Sequence, residues 1–434
     1  MIAIVSKIKE KIGIWLCCIL LITPIAIQTF PPNPFKFHYW IAGALLLVYV
    51  FWIKDLLKGL RSLHYTSILI AIYLLINFYG LIITEGKLPA LVQKELVWGV
   101  ILFFSSHAVL MMFQSSDFCS RFDRVSNIIF LVFAVIVVGL SIVKFSMWSQ
   151  GIKLPWLSSS DYKYPIGSAL VGDVNFYSLT IFILSMTTFS AWRKSKSWVA
   201  ILLFSCLFFC LVFSGFLSGS RRFLIVGFIF FPVVLFLNYV RGQVSFRNIK
   251  LFFMGFVLAL AVVLIFQFGI DFSQFFTFEK FVNDHSLVNG YGTLMSESRA
   301  YGFDSRLLRL VFGTSMIDVK TLVMGSGFDY VAAFGCEFLE CLSDDYPHTP
   351  PLSGLLSSGI VGIISCALLI IHALHVGLKL MIRSKNKIEW GASMLVTTLF
   401  ASVSGNTLFS MPIFFIALTY ALCACVNSDW IERK

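Results

Sequence analysis

Three groups of residues in this chain carry chemistry that helix packing alone does not require. His348 ends a long polar segment and stands directly before Thr349-Pro350-Pro351 and an apolar run. An imidazole titrates near neutral pH and can act as a general base. Asp344 and Asp345, just upstream, can orient its ring or raise its pKa. The second group is Ser218-Gly219-Ser220-Arg221-Arg222, between two apolar runs. Guanidinium groups at a helix start grip phosphate by paired hydrogen bonds, helped by free backbone N–H groups. Arg299, Arg306 and Arg309, in the polar segment, are further candidate phosphate ligands. The third group is Gly172-Asp173-Val174-Asn175, where the carboxylate of Asp173 and the amide of Asn175 suit sugar hydroxyls or a pairing with Arg221 or Arg222. Each group also has a plainer account. Arginines at a span end can snorkel to lipid headgroups, Asp173 can serve a structural ion pair or helix cap, and a lone histidine can be an interfacial hydrogen-bonding residue. On its own residues His348 takes that plainer account, whereas the arginine pair favours function.

The elements that must position these groups are membrane helices. Of the 434 residues 58% are hydrophobic and only 13% charged, and 46 are phenylalanine; mean hydropathy is +0.88. The apolar runs are long and continuous rather than alternating, which points to an all-α polytopic membrane protein and excludes an outer-membrane barrel. Runs fall near 12–30, 38–53, 66–84, 95–113, 127–147, 168–191, 198–216, 223–240, 251–270, 351–382, 390–407 and 409–426, giving about twelve transmembrane helices. The N-terminal run, after Lys7, Lys9 and Lys11, lacks a small-residue cleavage site and reads as an uncleaved first span.

Three regions follow: spans one to nine over 1–270, a large partly helical loop over 271–347, and spans ten to twelve over 348–434. With the N-terminus cytoplasmic, every inner loop is basic, including Lys54-Lys58-Arg61, Arg193-Lys194-Lys196, Arg241-Arg247-Lys250 and Arg383-Lys385-Lys387. This satisfies the positive-inside rule with both termini cytoplasmic and the large loop outside. It also accounts for the net charge of +11 without a nucleic-acid partner.

The large loop holds half of the 22 acidic residues, yet is too rich in apolar and aromatic side chains to be disordered. Ser305 to Phe312 reads as a short amphipathic helix, and the loop as a folded cap on the outer face. Of ten cysteines only Cys336 and Cys341 lie here. They either form a disulfide or stay as two thiols, and an extracytoplasmic setting favours the bond. Beyond the loop, Thr349 can cap the tenth span, with Pro350 and Pro351 in its first turn. Gly354, Ser358 and Gly362 form a small-residue stripe suited to close packing by another helix.

No phosphate-binding Walker loop, dinucleotide glycine fingerprint, His-Glu-x-x-His metal motif or nucleophile elbow occurs. An enzyme built on this chain therefore needs a substrate that arrives already activated.

In three patterns the chain resembles the O-antigen ligase/polymerase superfamily of bacterial inner-membrane, lipid-linked glycan transferases. Ser218 to Arg222 is similar to that family's Ser-Arg turn, with Arg221 in the place of the family arginine and Arg222 as its neighbour. Ser305-Arg306-Leu307-Leu308, followed by Gly325-Ser326-Gly327, is similar to the arginine helix and Gly-x-Gly turn of the family's periplasmic loop. His348, Leu352, Gly359 and Gly362 repeat its histidine-to-glycine spacing. Thr349 stands where the family often has Asn, and Ser357 where Glu is common. The likeness spans Gly172 to about Pro412.

The resemblance implies a metal-independent, cofactor-free inverting glycosyltransferase in the bacterial inner membrane, with a periplasmic active site. Its donor would be an undecaprenyl-diphosphate-linked glycan. Its acceptor would be lipid A-core for a ligase, or a second lipid-linked glycan for a polymerase. Arg221 and Arg306, with Arg222, would hold the diphosphate, and His348 would bind or deprotonate the acceptor hydroxyl. The His348-to-Gly362 spacing tilts the expectation toward ligase. A polysaccharide-lipid transporter or flippase is the rival from another class; it would show two similar halves and charges at the bilayer midplane.

Overall fold

A computed structural model describes residues 2–29, 37–59, 64–112, 116–149, 170, 174–218, 220–268, 303–339, 341–384 and 387–432. Among these the chain is helical, with no strand. Nine helices precede the loop region: α1 (Ile2–Thr29), α2 (Phe37–Gly59), α3 (Tyr65–Ile82), α4 (Ala90–Met112), α5 (Ser116–Ser149), α6 (Val174–Lys194), α7 (Trp198–Leu217), α8 (Arg221–Val240) and α9 (Phe246–Phe268). Three shorter ones follow: α10 (Phe303–Ser315), α11 (Val319–Met324) and α12 (Asp329–Leu339). The chain closes with α13 (Pro350–Arg383), α14 (Ile388–Ser402) and α15 (Pro412–Glu432).

Each apolar run of the sequence overlaps one of α1–α9 or α13–α15. Among the described residues six helical stretches are long and apolar enough to cross a membrane: Tyr65–Ile82, Ala90–Met112, Phe118–Lys144, Trp198–Phe216, Arg222–Val240 and Pro350–Arg383. The protein is thus a helical membrane protein. Two helices outside that set, α6 and α14, show why hydropathy understates them. Both are buried almost all round and are rich in Ser and Thr. Ser185, Thr187 and Thr188 of α6, and Ser393, Thr397 and Thr398 of α14, each return their hydroxyl to the carbonyl four residues back. Small residues that satisfy themselves allow close helix approach, so these helices form the centre of the bundle and meet each other there.

The two ends of the bundle differ. At the end where α13 finishes, the Arg193–Glu389 ion pair is buried at 2.9 Å and Lys387 reaches Asp123 at 2.5 Å. Arg241 donates to the carbonyls of Met381, Ile382 and Ser384, where a cation complements the helix dipole. At the other end α10–α12 form a cap. Its small core joins Phe328, Tyr330 and Phe334 to Val92 and Leu96 of α4 and to Leu352 and Leu356 of α13. Leu307, Leu308 and Val311 of α10 and Val319 and Val323 of α11 remain exposed, the apolar side expected of helices lying on a membrane surface. Cys336 and Cys341 are joined as a disulfide that closes the turn after α12.

The small-residue stripe of α13 works differently from the sequence expectation. Gly359 has φ +67° and ψ −153°, so α13 is broken there. The break folds the helix against itself: a Cβ on Gly362 would stand 1.9 Å from the Gly354 carbonyl oxygen. Gly354 and Gly362 therefore pack on each other rather than on another helix. Ser358 does face a neighbour, its hydroxyl donating to Ile76 of α3 at 3.0 Å.

The break leaves carbonyls of Leu356 and Ser357 without intrahelical donors, and the turn between α11 and α12 supplies them. Ser326 N–H donates to Leu356 at 2.8 Å and Gly327 N–H to Ser357 at 3.1 Å. The Ser326 hydroxyl adds a bond to Leu356 at 3.1 Å. A Cβ on Gly359 would lie 2.5 Å from the Val323 oxygen, in a conformation that side chains rarely adopt. Gly359→Ala is accordingly expected to lift this turn off α13. Limited proteolysis should then cut between Met324 and Asp329 at a much lower protease dose than in the unmodified protein, with the melting temperature in detergent lowered by several degrees.

Candidate functional site

His348 is placed by its backbone before its side chain. Its φ is +57°, a left-handed conformation that costs a non-glycine residue about 1–2 kcal/mol. That value turns the chain sharply between Tyr346 and α13, bringing the ring back over the segment that precedes it. The imidazole lies against the Tyr346 ring at 4.4 Å between centroids. Its Nε2 is 3.5 Å from Oδ1 of Asp345. Asp344 is exposed, so Asp345 is the carboxylate that faces the ring.

Asp345 is itself gripped. Arg309 of α10 donates from Nε at 2.9 Å and from Nη2 at 2.7 Å to Oδ2, and its guanidinium lies over Phe338 at 4.5 Å. The Asp345 N–H faces the Val331 carbonyl of α12 at 3.4 Å. Asp345 thereby ties α10 through its carboxylate and α12 through its backbone N–H to the entry of α13. Burial pushes the Asp345 carboxyl up, but its bonds to His348 and Arg309 outweigh that and hold it below the usual carboxylate range. It stays ionised at neutral pH and faces the ring at Nε2.

Thr349 occupies the N-cap position of α13 without capping it. Its hydroxyl donates backward to the Pro347 carbonyl at 3.2 Å. The cap is dispensable because Pro350 and Pro351 bring no N–H, and Ser353 N–H already bonds the Thr349 carbonyl at 3.0 Å.

The arginine turn sits at the same end of the bundle. Ser220 caps α8, accepting from Phe223 N–H at 3.3 Å and donating to Ser178 of α6 at 3.1 Å. Ser218 donates to the Gly215 carbonyl at 2.6 Å. Arg222 crosses to the end of α14, where it bonds the Ser404 hydroxyl and the Val403 carbonyl and lies over Phe400. The segment after α14 continues inward from there. Asn406 accepts from the Tyr330 hydroxyl at 2.5 Å and donates to Glu95 of α4 at 3.2 Å. Thr407 donates to the same Glu95 oxygen at 3.0 Å. A continuous path thus runs from Arg222 through 403–407 to Tyr330 in the cap and on to the Asp345 segment beside Val331.

Of the residues expected from sequence, His348, Arg222 and Arg309 are brought to this end, and Arg309 is engaged by Asp345. Arg221 opens α8 and Arg306 lies on α10, with side chains outside the described residues. Asn175 lies in the first turn of α6 with its side chain likewise outside them, as are Asp173 and Arg299 altogether. Glu95, Tyr330 and Asn406 went unnoticed in the sequence. The available signal was Glu95 itself, a carboxylate opening an apolar run, where ionisable groups are rare unless used.

No protein-family model, curated protein or solved structure matches the chain.

Two outcomes follow from these contacts. Because Asp345 is held below its unfolded value of about 3.9, its contribution is complete above that pH and is lost as pH falls through the lower folded value. Hydrogen exchange of α10 should be flat from pH 7 to about 5, after intrinsic-rate correction, and rise below about pH 4; in Asp345→Asn that acid step should be missing. Glu95 acts through one acceptor oxygen shared by two donors. Glu95→Leu should cost about 2–4 kcal/mol by orphaning both, and Glu95→Gln less than about 1 kcal/mol, read by unfolding in detergent. Equal losses would mean that charge, not acceptance, holds 406–407.

Proposed function

We propose that this chain is a metal-independent, inverting glycosyltransferase of the bacterial inner membrane that moves a glycan from undecaprenyl diphosphate to an acceptor hydroxyl. In this reading it has twelve spans, both termini are cytoplasmic and the cap faces the periplasm. The observation that carries it is the Arg309–Asp345–His348 arrangement. A histidine in a left-handed conformation, aligned by an ionised carboxylate and set at the mouth of a broken helix, has more positioning than an interfacial histidine needs. The arginine turn at the same end of the bundle supports the second half of the reaction.

The proposed step has one bond forming and one breaking. The acceptor hydroxyl loses its proton to Nδ1 of His348 as its oxygen attacks the anomeric carbon from the face opposite the diphosphate. The bond from that carbon to the diphosphate oxygen breaks, and the electron pair leaves with undecaprenyl diphosphate. Arg221 and Arg306, with Arg222, stabilise the negative charge that develops there. Asp345 orients the imidazole, and Arg309 keeps Asp345 in place. Arg309 is then a positioning residue rather than a substrate ligand.

The acceptor decides between ligase and polymerase, and the His348-to-Gly362 spacing favours ligase. Complementation of a strain lacking this gene, read as glycan banding, separates them. Polymer stranded on its lipid carrier marks a lost ligase, whereas single repeats without long chains mark a lost polymerase. His348→Ala, at equal membrane abundance, is expected to lower transfer by about 10²–10⁴-fold, and Arg221→Ala to lower it comparably. Normal banding in both variants would rule out the reaction.

A further inference from the structure

The segment that delivers Asp345 and His348 doubles back along α12. Cys341 N–H donates to the Gly335 carbonyl at 3.1 Å and Leu342 N–H to that of Leu339 at 2.9 Å. At Gly335 the two pieces of backbone leave no room for a side chain. A Cβ there would run into the Ser343 carbonyl oxygen and would stand 3.4 Å from Cα of Asp344. One turn of α12 earlier, the Val331 carbonyl faces Asp345 N–H at 3.4 Å. The Cys336–Cys341 disulfide pins the start of this return path. It joins residues five apart, and a short closed loop adds least to global stability. Its effect is local, on the few residues that follow. Both cysteines are exposed, whereas Asp345 is buried. The free cysteines among the described residues are buried or half-buried in the bundle, so a thiol reagent meets the cap pair first.

We propose that the Cys336–Cys341 disulfide is a redox-sensitive positioning link of the histidine site. It holds 341–345 on α12 so that Asp345 meets both Arg309 and the His348 ring, and its reduction lowers transfer. This inference rests on the reading of His348 as the acceptor-side base. The reductant is a dithiol on the face where the cap lies. One of its thiolates attacks a cysteine sulfur, forming a mixed disulfide and releasing the other cysteine as a thiolate. Its second thiolate then closes the reductant into its own disulfide and frees the first cysteine. Two electrons pass to the pair, two protons follow, and no other bond changes. Cys341 has φ +60°, a conformation unfavourable for a non-glycine residue, and once untethered it relaxes away from it. Asp345 then loses its register with Val331, and with it the pairing to Arg309 and His348.

The test takes the full, folded chain in nanodiscs through reduction with dithiothreitol and reoxidation, following hydrogen exchange of α10 at neutral pH. That readout reports the Arg309–Asp345 clasp without reference to activity. Reduction should speed it about tenfold, reoxidation should restore it, and exchange in α6 and α14 should not move. In the complemented strain, Cys336→Ser and Cys341→Ser together should lower the glycan product about tenfold at equal membrane abundance. Adding Asp345→Asn to that pair should cost nothing beyond Asp345→Asn alone, because the bond acts through Asp345. Unmoved α10 exchange in the reduced chain would overturn the link. So would normal banding in the double-serine variant while His348→Ala abolishes it, which leaves the histidine site standing. Losses that add in the triple variant would overturn it too, since the bond would then act elsewhere. Normal banding in His348→Ala would remove the histidine site and the link with it.

Discussion

A broken helix in an apolar medium must find partners for the backbone groups that the break releases, because no water is there to serve them. Much of the cap's arrangement follows from how α13 meets this demand at Gly359. Donors come from Ser326 and Gly327, so the turn between α11 and α12 has to lie against the membrane helix. Each such bond avoids an orphaned buried carbonyl costing about 1–3 kcal/mol, which makes the cap's attachment a requirement of the span. Asp329, two residues on, takes N–H groups of Glu85 and Gly86, both at 2.9 Å, and clamps the end of α3 to the same turn. The His348 mouth is then bounded by elements that cannot move independently of α13.

The second organising device is a carboxylate with more than one duty. Asp345 aligns a ring and receives a guanidinium, and its backbone N–H turns toward α12. Glu95 does something similar below it, gathering Asn406 and Thr407 onto one oxygen. Both are buried, and a buried charge or acceptor is tolerable only when its partners are well placed. The result is that the arginine turn and the histidine are joined through side chains rather than through a shared helix.

How far the sequence spoke depended on whether a feature was local. The apolar runs located every long helix, and Pro350-Pro351 marked the start of α13, since both signals lie within a few adjacent residues. The stripe at Gly354, Ser358 and Gly362 was legible as close packing but not as a break. A glycine that lets a neighbour approach and one that adopts φ +67° look alike in a sequence. Asp345 was legible as a partner of His348 because it lies three residues away. Its other partner, Arg309, was read as a ligand for substrate because 36 residues separate the pair and only the folded cap brings them together. Glu95 escaped notice beside Lys94, where an acid and a base at a span entrance look like an interfacial pair. The link to Asn406 spans 311 residues.

These arrangements bear on why a transferase of the proposed kind would place its base and its cations on different elements. A base that takes a proton becomes a cation, and an arginine close by would oppose that change. Asp345 lies against His348 on one side and binds Arg309 on the other, so a carboxylate stands between that guanidinium and the imidazole. Arg222, by contrast, bonds a hydroxyl and a carbonyl at the end of α14. The same fold end thus carries one guanidinium bound to a carboxylate beside the histidine and another held at the end of α14. In the proposed reaction, that division would separate the group that takes the proton from the groups that meet the leaving diphosphate.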